Sequence, residues 1–373
     1  LTIFYRGGNG LQGCDGQEGA YSYCTFAGPA AAGGPQAGDA GITDLASEDV
    51  DGDGDIDIVA SALSGLIIFE NLGAAGFRAG DLVPIEGSRI RSVATIDLDH
   101  DGRLDILAID SDRDNIIVAW QLEDGGFELG RFAPEGLERP VSLLVADLTL
   151  NGSDDLLVAD GGLNGGDGGS VLVCLADASG LSSCEILRRT DQKASPQHVA
   201  VGDFDGDGFI DLYVGGYEGS PGDWPDRIFH NDGGTGFTNA RTATSGHRAR
   251  GVTSADFDED GDMDVYVSNY RLQPNHLWRN NGNFTFQDAA SSHGVAGGAH
   301  TIGSAWGDID NDGHLDLLDP FFGGTCYEFG YSDALRNEVT AHFKVSLVAV
   351  DFDDEERSVY AESDEQARRH RSW

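Results

Sequence analysis

The sequence predicts an all-β fold, a seven-bladed β-propeller built from four-stranded sheets, and three observations carry that prediction. An aspartate-rich nonapeptide recurs six times, its starts 48, 50, 56, 53 and 52 residues apart. Short runs rich in valine, isoleucine and tyrosine stand before and after each copy, the signature of strands meeting at a turn. A second shared hairpin follows, read in IFENLGAAGF, VAWQLEDGGF, IFHNDGGTGF and LWRNNGNFTF. Four strands in a unit of this length match one propeller blade.

The nonapeptides are DVDGDGDID at 49–57, DLDHDGRLD at 97–105, DLTLNGSDD at 147–155, DFDGDGFID at 203–211, DFDEDGDMD at 256–264 and DIDNDGHLD at 308–316. Carboxylates at positions 1, 3, 5 and 9 of a tight loop can converge on one centre, and glycine at position 6 supplies the left-handed backbone that folds the loop over. Such a cage of oxygens suits a hard divalent cation, and calcium tolerates its irregularity better than magnesium. The third loop carries Thr149 and Asn151 in place of two carboxylates, so weak or no binding is expected there. A seventh stretch, DFDDEERSV from Asp351, lacks the glycine and the ninth acid and is expected to be empty. Aspartates in turns also cap backbone amides, but five intact copies favour metal.

The termini complete the ring in this reading. LTIFYRGGNG resembles the second hairpin of a unit, and KVSLVAVDFDDEERSVYAE resembles a first hairpin. One domain over 1–362 is predicted, with a terminal half-blade at 1–39, blades at 40–88, 89–138, 139–194, 195–247, 248–299 and 300–343, a closing half-blade at 344–362 and a tail at 363–373. Pairing of the two half-blades would leave no open sheet edge.

Composition narrows the function. The chain has 373 residues, 64 of them acidic and 23 basic, for a net charge of -41. Nucleic-acid phosphates need basic partners, so that class is excluded. No apolar run is long enough to span a membrane. Cys174 and Cys184 are equally distant from Ser179 across DASG, opposite one another in a hairpin, where a disulfide is plausible. Cys14 and Cys24 form a weaker candidate pair, and Cys326 is left over. Candidate disulfides and calcium loops both point to a secreted, periplasmic or cell-surface setting, where calcium is plentiful.

The repeats resemble the FG-GAP/VCBS family, the calcium-loop blades of integrin alpha-subunit propellers and of many secreted bacterial proteins. VSNYRLQPNHLWRNNGNFTFQDAA and HTIGSAWGDIDNDGHLDL look most like its CRTAC/ASPIC-UnbV group. That resemblance implies an extracellular calcium-binding propeller without an assigned enzymatic activity. Carried over position by position, it makes Asp49, Asp51, Asp53, Asp57, Asp97, Asp99, Asp101, Asp105, Asp203, Asp205, Asp207 and Asp211 calcium ligands. Asp256, Asp258, Asp260, Asp264, Asp308, Asp310, Asp312 and Asp316 complete about five calcium sites.

In a propeller the first strand of each blade lines the central channel, and its start lies on the face opposite the loops. Eight residues before each loop stand Gly41, Arg89, Arg139, Ser195, Arg248, His300 and Phe343, and six residues before stand Arg91 and Arg250 in two of the same blades. Five arginines at two equivalent positions of an acidic chain predict a basic rim. Each could instead pair with a neighbouring acid and stiffen the rim. The strand 2–3 connections reach the same face and carry Tyr217, Trp224 and Tyr270, rings suited to stacking on a sugar or to packing on one another. The expected function is therefore a non-catalytic binding or adhesion module for an extracellular glycan or protein ligand. The rival is a polysaccharide lyase using Tyr217, His247 and Arg250. Asn151 and Asn283 fit glycosylation sequons, and no hydrolase, zinc-protease or phosphate-loop motif is present.

Overall fold

A computed structural model describes residues 2–6, 16–18, 21–25 and most of 42–322; within that last span 63–64, 73–76, 81, 86–88, 162–168, 178–179, 189–195, 218–224, 244–246, 298–299, 302, 308–313 and 319–320 are excepted. The described residues form strands and turns, without a helix, and no helix is long and apolar enough to cross a membrane.

Five successive sheets repeat one antiparallel meander. Sheet I comprises Ile42–Glu48, Asp57–Ala62, Gly65–Asn71 and Phe77–Ala79, with Val83–Pro84 added against its third strand. Sheet II comprises Ile90–Ile96, Asp105–Asp110, Asn115–Gln121 and Phe127–Phe132. Sheet III comprises Pro140–Ala146, Asp155–Asp160, Ser170–Asp177 and Gly180–Arg188. Sheet IV comprises Pro196–Gly202, Asp211–Gly216, Arg227–Asn231 and Phe237–Thr242, and sheet V comprises Ala249–Ala255, Asp264–Asn269, His276–Asn280 and Phe286–Asp288. Each nonapeptide joins the first strand to the second, as its flanking apolar runs predict.

The second strand is the structural spine of each sheet. All six residues of Asp105–Asp110, Asp155–Asp160, Asp211–Gly216 and Asp264–Asn269 are buried. Side chains alternate across a strand, so successive residues serve two cores. Ile106 and Ala108 pack with Val59 and Leu66 of sheet I, whereas Leu107 and Ile109 pack with Leu156 and Val158 of sheet III. Leu157 and Ala159 meet Leu212 and Val214 of sheet IV, and Tyr213 and Ile228 meet Val252, Val265 and Val267 of sheet V. Sheets stacked face to face in sequence order are the packing of a propeller.

First strands of successive sheets are neighbours, as channel-lining strands must be. Polar side chains tie them. Ser92 Oγ donates to Asp44 Oδ2 at 2.7 Å, Ser92 Oγ accepts from Leu143 N at 3.1 Å, and Ser254 Oγ donates to Val201 O at 2.6 Å.

The ends follow the pattern partly. The first 25 residues give a three-stranded sheet in which Tyr21–Thr25 lies between Thr2–Arg6 and Gly16–Glu18, one strand more than the predicted half-blade hairpin. A sixth unit begins with His300–Thr301 and Ala305–Gly307, paired with Phe321–Phe322 and Asp316–Leu318. Residues 323–373, which include the predicted closing half-blade, Phe343 and the Asp351 loop, lie outside the described residues. A disulfide joins Cys174 to Cys184, which face each other across the last two strands of sheet III. Cys14 and Cys326 lie outside the described residues.

Candidate metal loops and the opposite rim

The described loops share one hydrogen-bond scheme that divides labour among the aspartates. Position 1 holds the turn together. Asp203 Oδ1 accepts the amides of Gly206 and Asp207, and its Oδ2 accepts that of Gly208. Asp49, Asp97, Asp147 and Asp256 do the same for the amides of their own positions 5 and 6. Position 6 is glycine with φ between 85° and 95° in all five, as predicted. Position 4 is also left-handed, and there His100, Leu150 and Glu259 adopt φ of 58°, 54° and 58° where the first and fourth loops have glycine. Position 5 closes an Asx turn on the amide of position 7, Asp207 Oδ1 accepting from Phe209 N at 2.8 Å.

Position 9 begins the second strand and is a buried cross-brace. Asp211 Oδ2 accepts from Phe204 N and its Oδ1 from Asn231 N, at 2.9 and 2.8 Å. The same pair of bonds is made by Asp57, Asp105, Asp155 and Asp264, each linking position 2 of its loop to the end of the third strand. Burial pushes all five carboxyls above the usual range against the pull of these amides, those of Asp211 and Asp264 to about 6.

The donor set fits a divalent cation. One oxygen each from Asp49, Asp51 and Asp53 lies within 4.8 Å of the others. Asp97, Asp99 and Asp101, then Asp203, Asp205 and Asp207, then Asp256, Asp258 and Asp260 repeat the cluster. Like charges this close repel unless a cation joins them. Among the described residues the third loop offers no such carboxylate cluster: Thr149 Oγ1 is buried without a hydrogen bond, and Asn151, whose Oδ1 accepts from Ser153 N at 2.7 Å as in the other loops, donates through Nδ2 to Ala176 O at 2.8 Å. Asp308, Asp310 and Asp312 lie outside the described residues, as does the side chain of Asp316.

A second layer around the loops was not identified from the sequence. The third-strand residue whose amide meets position 9 uses its side chain to reach carbonyls. Asn231 Nδ2 donates to Ile210 O in its own loop and to Leu148 O in the loop of sheet III; Asn280 Nδ2 does likewise to Met263 O and to Phe204 O of sheet IV. Each of these two loops is thereby bound to its neighbour. The residue before it reaches the carboxylates themselves. Arg279 forms ion pairs with Asp258 and Asp260, His230 sits beside Asp205 and Asp211, and Glu70 lies close enough to bear on the charge of Asp51. The hairpins IFEN, IFHN and LWRN held this signal, an asparagine after a variable residue, with Gln121 and Ala176 at the same place in sheets II and III.

On the opposite side, the arginines occupy one place in several sheets. The carbonyls of Arg89, Arg139 and Arg248 accept the amides of Ser111, Gly161 and Tyr270, each just beyond its second strand. Burial, then the charges of Arg139, Arg89 and Arg250, hold the Arg91 guanidinium below its ordinary pKa. Arg89, Arg139 and Arg250, from sheets II, III and V, thus lie within electrostatic reach of Arg91. His198 feels the charge of Arg250 as well.

The aromatic residues do something other than present open faces. Tyr217 and Tyr270 are buried, with ring centroids 6.1 Å apart. Arg250 lies over both rings, 4.9 and 5.4 Å from their centroids, and donates to Tyr217 Oη at 3.1 Å. They anchor an arginine. Of the residues considered for a lyase, Arg250 and Tyr217 are thus engaged with one another. His247 is bonded to His276 Nε2 at 2.5 Å and stacked on its ring, and His276 in turn contacts Asp288 at 2.7 Å. Trp224 and the side chain of His300 lie outside the described residues.

Repeated four-stranded sheets, stacked in order and each bearing an aspartate loop between its first two strands, define a propeller-type repeat protein. The chain belongs to the FG-GAP-like repeat family, whose repeat matches residues 49–108, 97–158, 203–267 and 256–318, more than half of its length. No curated protein matches it. Among solved structures it is similar to BBS1N in complex with ARL6DN, at 12% identity and a TM-score of 0.49, over 76% of this chain and 77% of that one. It is also similar to an Agrocybe aegerita lectin structure described as recognising non-reducing terminal N-acetylglucosamine, at 19% identity and a TM-score of 0.46, over 65% of this chain and 64% of the other. The V. cholerae biofilm matrix protein Bap1 matches at 17% identity and a TM-score of 0.38, over 62% of this chain and 36% of its own.

Proposed function

We propose that this chain is a secreted, calcium-stapled propeller whose arginine rim, on the face opposite the loops, binds an anionic extracellular glycan or an acidic protein surface. The observation that carries this reading is the convergence of Arg89, Arg139 and Arg250 on Arg91 in a chain with 23 basic and 64 acidic residues. Gathering scarce cations lowers the stability of each, since like charges disfavour one another. A cost placed at one rim is consistent with use there, because an anion crossing the arginines would relieve it and gain charge-assisted hydrogen bonds.

Calcium has the structural role. It would neutralise the clustered carboxylates of the loops at Asp49, Asp97, Asp203 and Asp256, and of the loop at Asp308, and so stiffen the turns that hold adjacent sheets together. The cystine between Cys174 and Cys184 supports an oxidising, extracytoplasmic setting.

The test is binding of the calcium-loaded protein to immobilised heparin and polyuronate in rising salt. Arg91→Ser with Arg139→Ser should abolish retention while leaving the calcium-loaded melting temperature within a few degrees of wild type. Retention unchanged by the double substitution would remove the rim from the function.

A further inference from the structure

The loops differ in one respect that an all-oxygen reading misses. The third-strand position facing each loop is Glu70 in sheet I, Trp120 in sheet II, Leu175 in sheet III, His230 in sheet IV and Arg279 in sheet V. Glu70 adds an oxygen and Arg279 a fixed cation. Among these five, only His230 adds a nitrogen ligand.

We propose that the loop of sheet IV is a mixed nitrogen–oxygen centre that takes a borderline transition dication such as Zn²⁺ through His230 Nδ1, Asp205 and Asp211. His230 Nδ1 stands 3.3 Å from Asp205 Oδ2 and 3.3 Å from Asp211 Oδ1. It is buried and makes a hydrogen bond to neither. Co-ligands with metal–ligand bonds of about 2.0–2.1 Å stand roughly 3.3 Å apart around a tetrahedral ion, so Nδ1 stands from each carboxylate oxygen at the spacing of a coordination shell. One oxygen of Asp205, one of Asp211 and a ring nitrogen lie mutually within 4.8 Å.

The ring is also held in position. Phe284 meets it edge-on at 5.7 Å, and Asp232 Oδ1 lies 3.6 Å from Nε2, on the side away from the centre. A carboxylate behind a ligating imidazole orients the ring and raises its basicity. Imidazole favours zinc, copper and nickel over calcium, which prefers oxygen alone. Asp205 belongs both to this set and to the oxygen cluster with Asp203 and Asp207. Zinc and calcium therefore compete for this loop, while the loops at Asp49, Asp97 and Asp256 keep oxygen clusters.

The inference does not rest on calcium filling the other loops, and the experiment separates the two. The full chain is stripped with chelator and titrated calorimetrically with Zn²⁺, without calcium and then with calcium in excess, and X-ray absorption is recorded on the zinc-loaded protein. Wild type should bind a single tight equivalent of Zn²⁺ with an imidazole nitrogen in its shell. His230→Gln should weaken that binding by about tenfold or more, at least as much as loss of an outer-shell partner alone, and leave calcium uptake by the other loops intact. His230→Glu should restore a dication site of all-oxygen character with calcium preferred. Equal zinc affinity in wild type and His230→Gln, or an oxygen-only shell in wild type, overturns the proposal. Failure of calcium to bind anywhere would count against the calcium staples and leave the zinc result to be read on its own.

Discussion

Residues 147–155 and 203–211 trace the same turn with different side chains at its third and fifth positions. In both, the first aspartate gathers the amides of positions 5 and 6, and the ninth joins position 2 to the third strand. Asp205 and Asp207 form a carboxylate cluster with Asp203; the third loop has Thr149 and Asn151 at those two positions and so has no carboxylates there to join Asp147. The loop backbone therefore rests on positions 1 and 9, and the carboxylate cluster needs 3 and 5 as well. Sheet III, which lacks the cluster, carries the cystine between its outer strands.

The largest expected effect breaks the comparison at position 9. Asp211→Ala or Asp264→Ala leaves two amides without their acceptor. Each unsatisfied buried group costs about 1–3 kcal/mol, so a loss of up to about 6 kcal/mol is expected even in chelator. Asp205→Ala should cost stability only in calcium. Urea midpoints in the two buffers separate the cases, and a normal Asp211→Ala midpoint in chelator would reduce position 9 to a metal ligand.

Next comes the cystine. Cys174 and Cys184 close a short segment with a sequence separation of 10 residues. Chain entropy for such a loop corresponds to about 2–3 kcal/mol. Replacing both by alanine should lower stability by that amount equally in calcium and chelator. A calcium-dependent loss would mean that sheet III does bind an ion after all.

The converse change should install the missing site. Thr149→Asp with Asn151→Asp supplies the two absent carboxylates on a backbone already shaped for them. The double variant should bind one more calcium than wild type and gain up to about 2.7 kcal/mol at a hundredfold excess over its dissociation constant. Loss of the Asn151 bond to Ala176 O offsets about 1 kcal/mol of this. Elemental analysis of the dialysed protein counts the ions, and an unchanged count would show that more than four carboxylates is needed.

Much of this was legible in the residues because it is local. The loop repeat, the flanking strands, the facing cysteines and the shared register of Arg89, Arg139 and Arg248 depend on spacing along one strand or one turn. The contacts of Glu70, His230 and Arg279 were not, because they depend on how the third strand registers against the second. That register is set across connections of different length and composition, such as 111–114 and 270–275. The left-handed backbone at His100, Leu150 and Glu259 was hidden for another reason: a glycine-rich loop draws attention to glycine, while non-glycine residues there are held by the amide bonds on either side. Burial of Tyr217 and Tyr270 was likewise invisible, since stacking on a sugar and packing under an arginine need the same side chain.

The smallest expected effect is one of pH, and it tests whether the cross-brace and the cation site are separable. Burial raises the carboxyls of Asp211 and Asp264 from the ordinary aspartate value of 3.8 to about 6. A group whose folded pKa lies above its unfolded one contributes stability below the unfolded value and loses that contribution as pH rises through the folded one. Chelated protein should therefore become slightly more stable as pH falls from about 7 towards 5. Calcium-loaded protein should do the opposite, because protons compete for the same carboxylates and metal leaves. Melting temperatures across that range, with calcium and with chelator, should diverge with opposite slopes. Parallel slopes would mean that the ion does not touch position 9, leaving Asp57, Asp105, Asp155, Asp211 and Asp264 as braces in every state of the loop.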